Sequence, residues 1–388
     1  MKKNHRTRLL SVLCASAAVL ALVSCGGDDA TGPGIRVDPG PIGSGGTPSD
    51  VFPTGNVVGT TTSSVDAGPV ANASVSVGST TTTSLINGRW GLNTGDAARA
   101  LATVRAASYV DNIRAFAIAG LPVNVPSPLV PIAAASPITV ATGGTVTQAG
   151  GSAQIVLPGN ALTPPAGVTA AATVDARITE INFLQNLNVV PGDFTGTDLA
   201  SATVPVETFG VVSLLATDAS AARYTLSAGQ TANVRIPAIT RGVALPAMLP
   251  LMYFDETTAR WVQTNRTATL NNGAYEGAVD RLGFWAAGQT QPTVTLTGCV
   301  RDPGDQPVAN ARVILEGIDY NASATVLTAA DGTFSVPLRQ GGNATVTAQA
   351  GGAVTNTVAI TSAQSAANFA LTPCLRTSGA VSGLSIKL

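Results

Sequence analysis

The 388 residues include one histidine, His5, and only three lysines, Lys2, Lys3 and Lys387. Ser-His-Asp and Cys-His nucleophile systems need an imidazole to shuttle the proton, and catalytic zinc sites draw on histidine ligands. His5, Lys2 and Lys3 all sit in the first eight residues, which belong to an expected cleaved export signal. The rest of the chain then lacks an imidazole entirely, and Ser-Lys or Schiff-base chemistry is left only with Lys387 in the terminal tail. Carboxylates are what remain. Asp255 and Glu256 are neighbours, as are Asp28 and Asp29, but neighbouring acids in a turn or a tether stand in water, whereas glycoside hydrolysis needs two that face each other about 5–10 Å apart. Asp302, Asp305, Asp319 and Asp331 offer oxygen ligands for calcium, yet no Asp-x-Asp-x-Asp loop is present, and Asp beside Gly or Pro is ordinary turn chemistry. No catalytic residue, cofactor or metal site is expected. Trp90, Trp261 and Trp285 lie in apolar, strand-like contexts and are expected in the core rather than as a sugar-stacking platform.

Around these residues the composition favours sheets. Only 11% of the chain is charged and 4% aromatic, while 45% is apolar. Abundant Ala, Val and Thr build thin cores of small β-branched side chains. Gly and Pro number 41 and 24, too few for low-complexity disorder. A formal charge of −1, with no basic run beyond the first eight residues, leaves no footprint for nucleic acid. The expectation is an all-β chain of several antiparallel domains.

The amino terminus is read as an address. Lys2, Lys3, Arg6 and Arg8 precede an apolar run from Leu9 to Val23, the layout of an export signal and too short to remain as a membrane-spanning helix. The run ends at Leu22-Val23-Ser24-Cys25, which resembles a bacterial lipobox. That resemblance implies cleavage of a signal peptide over residues 1–24, lipid attachment at Cys25 and a membrane partner reached through the acyl chains. Gly26 follows the cysteine where lipoproteins kept in the inner membrane typically carry Asp, so the resemblance points to the outer membrane. Losing residues 1–24 removes two Lys and two Arg and leaves a mildly acidic chain near −5. Residues 25–50 are rich in Gly, Pro, Asp and Ser and form a flexible linker spanning roughly 25–30 Å.

An internal repeat organises the remainder. Thr54-Gly55-Asn56-Val57-Val58 leads to Pro69-Val70-Ala71-Asn72-Ala73, and Thr297-Gly298-Cys299-Val300-Arg301 leads to Pro307-Val308-Ala309-Asn310-Ala311. Each copy then has a Gly-centred turn before an aromatic strand, Asn87-Gly88-Arg89-Trp90 and Asp331-Gly332-Thr333-Phe334, where Asn-Gly and Asp-Gly supply the positive φ of a tight turn. Both copies resemble the carboxypeptidase regulatory-like domain, the second more closely. The resemblance implies a seven-stranded transthyretin-like or immunoglobulin-like sandwich with no catalytic residues, over residues 51–136 and 291–376. Between them, residues 137–290 alternate in period two at Val174/Ala176/Ile178 and Ala232/Val234/Ile236. With Val206–Val212, Leu249–Val262 and Leu282–Trp285 this block resembles the extracellular β domain of cartilage intermediate layer proteins. It departs from that family at Arg281-Leu282-Gly283, where the family commonly has His-Phe-Ser. Residues 377–388 form a tail.

Cys299 and Cys374 bracket the last sandwich of an exported chain, so a disulfide is expected, the alternative being two small buried thiols. The sequence thus reads as a non-catalytic, lipid-anchored envelope protein serving as a display, adhesion or structural scaffold. The alternative is a module that binds carbohydrate or another surface polymer, and the partner in either case, a glycan or an envelope protein, is left open.

Overall fold

A computed structural model describes residues 53–361 and 368–378. The signal peptide, Cys25, the whole linker and most of the tail lie outside the described residues. Within them the chain is all-β, with no α-helix and a single 3-10 turn at Leu187–Val189. The tandem antiparallel domains expected from composition are present.

The first sandwich has one sheet in which Val57–Ser63 lies between Arg89–Leu92 and Val123–Leu129, the latter running parallel to it. Its second sheet runs Thr80–Thr83, Ser74–Val77, Ala97–Arg105, Asn112–Ile118. The last sandwich repeats this order: Thr293–Arg301 lies between Thr333–Arg339 and the parallel pieces Phe369–Ala370 and Leu375–Arg376, and Arg312–Gly317 lies between Ser323–Leu327 and Asn343–Ala350. Alternation drives both. Val75 and Val77 are buried while Ser74 and Ser76 face outward, and Val346 and Ala348 are buried in the same way. Apolar residues every second position can all leave water on one face of a pleated strand.

The repeated Pro-Val-Ala-Asn-Ala string earns its place through hydrogen bonds. In the first copy the Ser84 hydroxyl accepts from the Ala73 N–H and donates to the Val70 carbonyl, at 2.9 and 2.8 Å. In the last the Thr328 hydroxyl accepts from the Ala311 N–H and donates to the Val308 carbonyl, at 2.9 and 2.6 Å. Asn72 and Asn310 both sit at φ 57°, the left-handed conformation that Asn tolerates better than most side chains. A buried hydroxyl thus satisfies a donor and an acceptor that the turn leaves without ladder partners.

The structure corrects the alignment of the two copies at their opening strand. The Val70 N–H bonds Thr61 and the Val308 N–H bonds Val300, while the Thr61 and Val300 N–H groups bond Gly88 and Gly332. Thr61 is therefore the counterpart of Val300, and Gly59, not Gly55, is the counterpart of Gly298. The physical reason is ring packing. Gly59 pairs with Trp90 and Gly298 with Phe334, and each aromatic ring lies directly over its glycine. A Cβ would stand 2.3 Å from the Trp90 ring or 2.5 Å from the Phe334 ring.

The central sheet closes on itself. From Ser136–Thr139 the ladder passes through Gly143–Thr147, Gln154–Pro158, Ala232–Pro237, Ala274–Val279, Arg260–Asn271, Met248–Asp255, Gly283–Thr290 and Thr203–Thr217 to Thr173–Glu180, which pairs back to Ser136–Thr139. Such a ring leaves no edge strand. Its interior holds Phe209, Tyr275 and Trp285 among aliphatic residues. A further core runs continuously through all three bodies. It joins Ile113 and Ala115 of the first sandwich, Phe183, Leu187, Val190, Phe194 and Trp261 of the central domain, and Leu296, Val313 and Val346 of the last.

Gly59→Ala and Gly298→Ala are expected to lower stability by about 1–3 kcal/mol each, the usual cost of overpacking. Gly95→Ala, where an added Cβ meets nothing within 4 Å, is expected to stay within about 0.5 kcal/mol of wild type. Urea unfolding monitored by tryptophan fluorescence and circular dichroism measures all three.

Candidate functional site

The tryptophans are spent on packing. Trp90, Trp261 and Trp285 are 1%, 0% and 0% exposed. The Trp261 and Trp285 indole N–H groups donate to the carbonyls of Pro191 and Arg281, and Phe254 packs 5.2 Å from the Trp261 ring. No indole face is left for a sugar. Cys299 and Cys374 are joined in a disulfide, and Cys25 lies outside the described residues. The four aspartates weighed as calcium ligands are engaged separately. Asp302 accepts from the Gln306 N–H, Asp305 pairs with Arg376, Asp319 accepts from the Asn343 backbone and amide, and Asp331 holds Thr333. No group of three or more His, Cys, Asp or Glu within reach of one metal ion occurs among the described residues.

The adjacent acids Asp255 and Glu256 part company. Asp255 closes its own turn, accepting from the Thr257 N–H and from the hydroxyls of Thr257 and Thr258. Burial works to raise its pKa, but these donors outweigh it and hold the carboxyl below its ordinary value. Glu256 is exposed overall, but one side of it faces a neighbouring domain. It lines a small cavity between the first sandwich and the central domain with Tyr109, Asp111, Ile132, Arg223 and Phe284. Asp111 there accepts from Arg105 at 3.0 Å and Arg223 at 3.3 Å. Burial first, and the Asp111 charge second, push the Glu256 carboxyl above its ordinary value. Two carboxylates in a cleft are the one arrangement that a carboxylate enzyme needs. The cavity is about 50 Å³, room for one or two waters and far below the roughly 300 Å³ at which ligand pockets begin. It does not admit a sugar ring, and its chemistry is that of an ionic joint between two domains.

Similar joints, all built on arginine, cross every boundary between the three bodies. Arg99 of the first sandwich grips Asp193 with both terminal nitrogens, at 2.5 and 3.2 Å, and donates to the carbonyls of Thr258 and Ala259. Arg114, only 6% exposed, donates to the carbonyls of Asn188 and Val190 and to the Asn188 amide oxygen. Burial, with the Arg312 charge second, brings its pKa down to about 10. Arg312 of the last sandwich, also lowered to about 10 by burial, donates to the Asn124 carbonyl of the first at 2.8 Å. Arg241 of the central domain bridges the carbonyls of Leu184 and Gly317. Arg339 of the last sandwich pairs at 3.2 Å with Glu207 of the central domain, whose carboxylate is 0% exposed. These partners lie from 57 to 188 residues apart in the chain, so local sequence patterns did not reveal them. The one signal available was that nearly every cation after residue 24 is Arg.

Residues 295–372 match the carboxypeptidase regulatory-like domain family, which places that domain type on the last sandwich. No curated protein matches the chain. Among solved structures the chain is similar to the Bacillus anthracis TIE protein, at 11% identity over 82% of this chain and 50% of that one, TM-score 0.18. It is also similar to BcpA, the major pilin subunit of Bacillus cereus, at 9% identity over 83% and 99%, TM-score 0.20. A third is the shaft pilin spaA from Lactobacillus rhamnosus GG, at 8% identity over 84% and 98%, TM-score 0.17. The chain thus spans half the length of the first of these.

Two measurements follow from the joints. Replacing Arg339 by Met leaves the Glu207 carboxylate buried without its cation and is expected to cost about 3–5 kcal/mol, with the Glu207→Gln/Arg339→Met double variant recovering part of the loss. For Glu256, a folded pKa above the ordinary 4.5 means that the native state holds the proton more tightly than the unfolded chain. That contribution to stability is full below pH 4.5 and is lost as pH rises through the folded value. Glu256→Gln avoids the loss, so denaturation at a series of pH values is expected to show it level with wild type near pH 4 and more stable at pH 7.

Proposed function

We propose that this chain is a non-catalytic, lipid-anchored protein of the bacterial cell envelope, held in the outer membrane through Cys25 and serving as a display, adhesion or structural scaffold. The observation that carries the scaffold reading is the weld between domains. A core shared by all three bodies and arginine joints at each boundary make a body that keeps its shape, which is what presentation of a surface requires. Enzymes need convergent polar groups around a space a substrate can enter, whereas the polar groups here converge on one another.

The anchor rests on Leu22-Val23-Ser24-Cys25 and on the Gly- and Pro-rich stretch after it, which gives the body reach beyond the head groups. No helix among the described residues is long and apolar enough to cross a membrane. By resemblance, residues 51–136 are a second carboxypeptidase regulatory-like sandwich, and residues 137–290 are the β domain type of cartilage intermediate layer proteins. Binding of a carbohydrate or surface polymer loses its best argument with the burial of the three tryptophans.

Metabolic labelling with palmitate is expected to mark the wild-type chain and not Cys25→Ser, and Cys25→Ser is expected to leave the membrane fraction. Membrane retention of the unlabelled variant would refute the anchor. Surface proteolysis of intact cells then tells whether the body faces outward, as an adhesin must, or inward.

A further inference from the structure

The strand Thr293–Arg301 has one long partner and one short one. Thr333–Arg339 pairs along seven residues of it. On its other edge the segment Asn368–Ser378 makes only two brief parallel contacts, Phe369–Ala370 against Leu296–Thr297 and Leu375–Arg376 against Val300–Arg301. The Leu371 N–H bonds the Thr297 carbonyl and the Thr377 N–H the Arg301 carbonyl. The segment is further held by Asn368 accepting from the Thr295 N–H, by Arg376 on Asp305, and by Thr377 and Ser378 against Thr355 and Val354. In the first sandwich the equivalent strand, Val123–Leu129, pairs over seven residues. The disulfide Cys299–Cys374 falls midway along the shorter attachment.

We propose that this disulfide is a redox clip. Reduction releases the Asn368–Ser378 segment and opens the second edge of Thr293–Arg301 to strand addition by the same segment of a second copy. Access favours it: both cysteines are partly exposed, and Cys299 lines an open apolar groove of about 810 Å³ with Val326, Phe334 and Leu371. The reaction needs a dithiol reductant. One of its thiolates attacks a cysteine sulfur to give a mixed disulfide, its second thiol closes on the first, and two electrons and two protons pass to Cys299 and Cys374 as the reductant becomes a disulfide.

The occupant is argued from fit. The uncovered edge already matches this segment in register, and it holds a site for Leu375, which is 1% exposed. Two other edge strands of these sandwiches carry proline, Pro126 and Pro128 in Val123–Leu129 and Pro337 in Thr333–Arg339, and proline withholds the N–H that an added strand would need. Leu296–Arg301 contains no proline.

The test uses the purified full chain with and without a dithiol. Under reduction any dimer is non-covalent. Native mass spectrometry is expected to show monomer before reduction and dimer after it, at tens of micromolar. Amide exchange at Leu371 and Thr377 in dilute reduced samples is expected to quicken at least tenfold, while the amides of Asn343–Ala350 stay protected. Thr377→Pro, which removes the N–H bonded to Arg301, is expected to abolish the reduced dimer. A reduced chain that stays monomeric, Leu371 and Thr377 amides as slow as before, loss of protection throughout Asn343–Ala350, or a dimer that survives Thr377→Pro would each overturn the clip.

Discussion

A guanidinium taken out of water must be repaid with hydrogen bonds in the right directions, and the three bodies of this chain are joined by meeting that demand. Arg114 is the clearest case. It is nearly inaccessible and its acceptors are not carboxylates but the backbone and amide oxygens of Asn188 and the carbonyl of Val190. Arginine's planar fork can satisfy several carbonyls at once, while a lysine ammonium buried in the same place would tend to give up its proton. The described residues contain no lysine at all. The segment from Ile181 to Phe194 receives these forks from the first sandwich and supplies the apolar side chains around them, so polar and apolar contributions to the joint coincide.

Much of the architecture was open to a reader of the sequence, and the reason is that it is local. Period-two runs such as Val174-Asp175-Ala176-Arg177-Ile178 state which face is buried, and the Asn-Gly and Asp-Gly turns fix where chains reverse. The pairing of Cys299 with Cys374, 75 residues apart, was legible on other terms, because they are the two cysteines left after Cys25 in a chain read as exported. What escaped notice depends on distance. The offset between Gly55 and Gly59 is invisible until an aromatic ring is seen lying across a neighbouring strand. The fate of Glu256 depends on Asp111, far away in the chain. Closure of the central ring requires Thr173–Glu180 to meet Ser136–Thr139, a pairing that no hydropathy pattern specifies.

The same contrast explains the candidate site. Composition spoke clearly about which reactions lack their side chains, because a histidine is either present or absent. It could not say that Glu207 would be enclosed against Arg339, or that a turn acid would point into an interdomain cavity. Buried charge in this protein is a matter of tertiary placement, and it serves cohesion between domains.

One feature of the repeated sandwich bears on how the chain would carry load. Its first and last strands lie side by side and parallel, Val57–Ser63 against Val123–Leu129. Tension applied at the two ends of that unit therefore acts along the ladder and strains all of its rungs together, rather than unzipping them one by one. The last unit keeps the geometry with far fewer rungs, and there a covalent link between Cys299 and Cys374 bears the force that the missing rungs cannot.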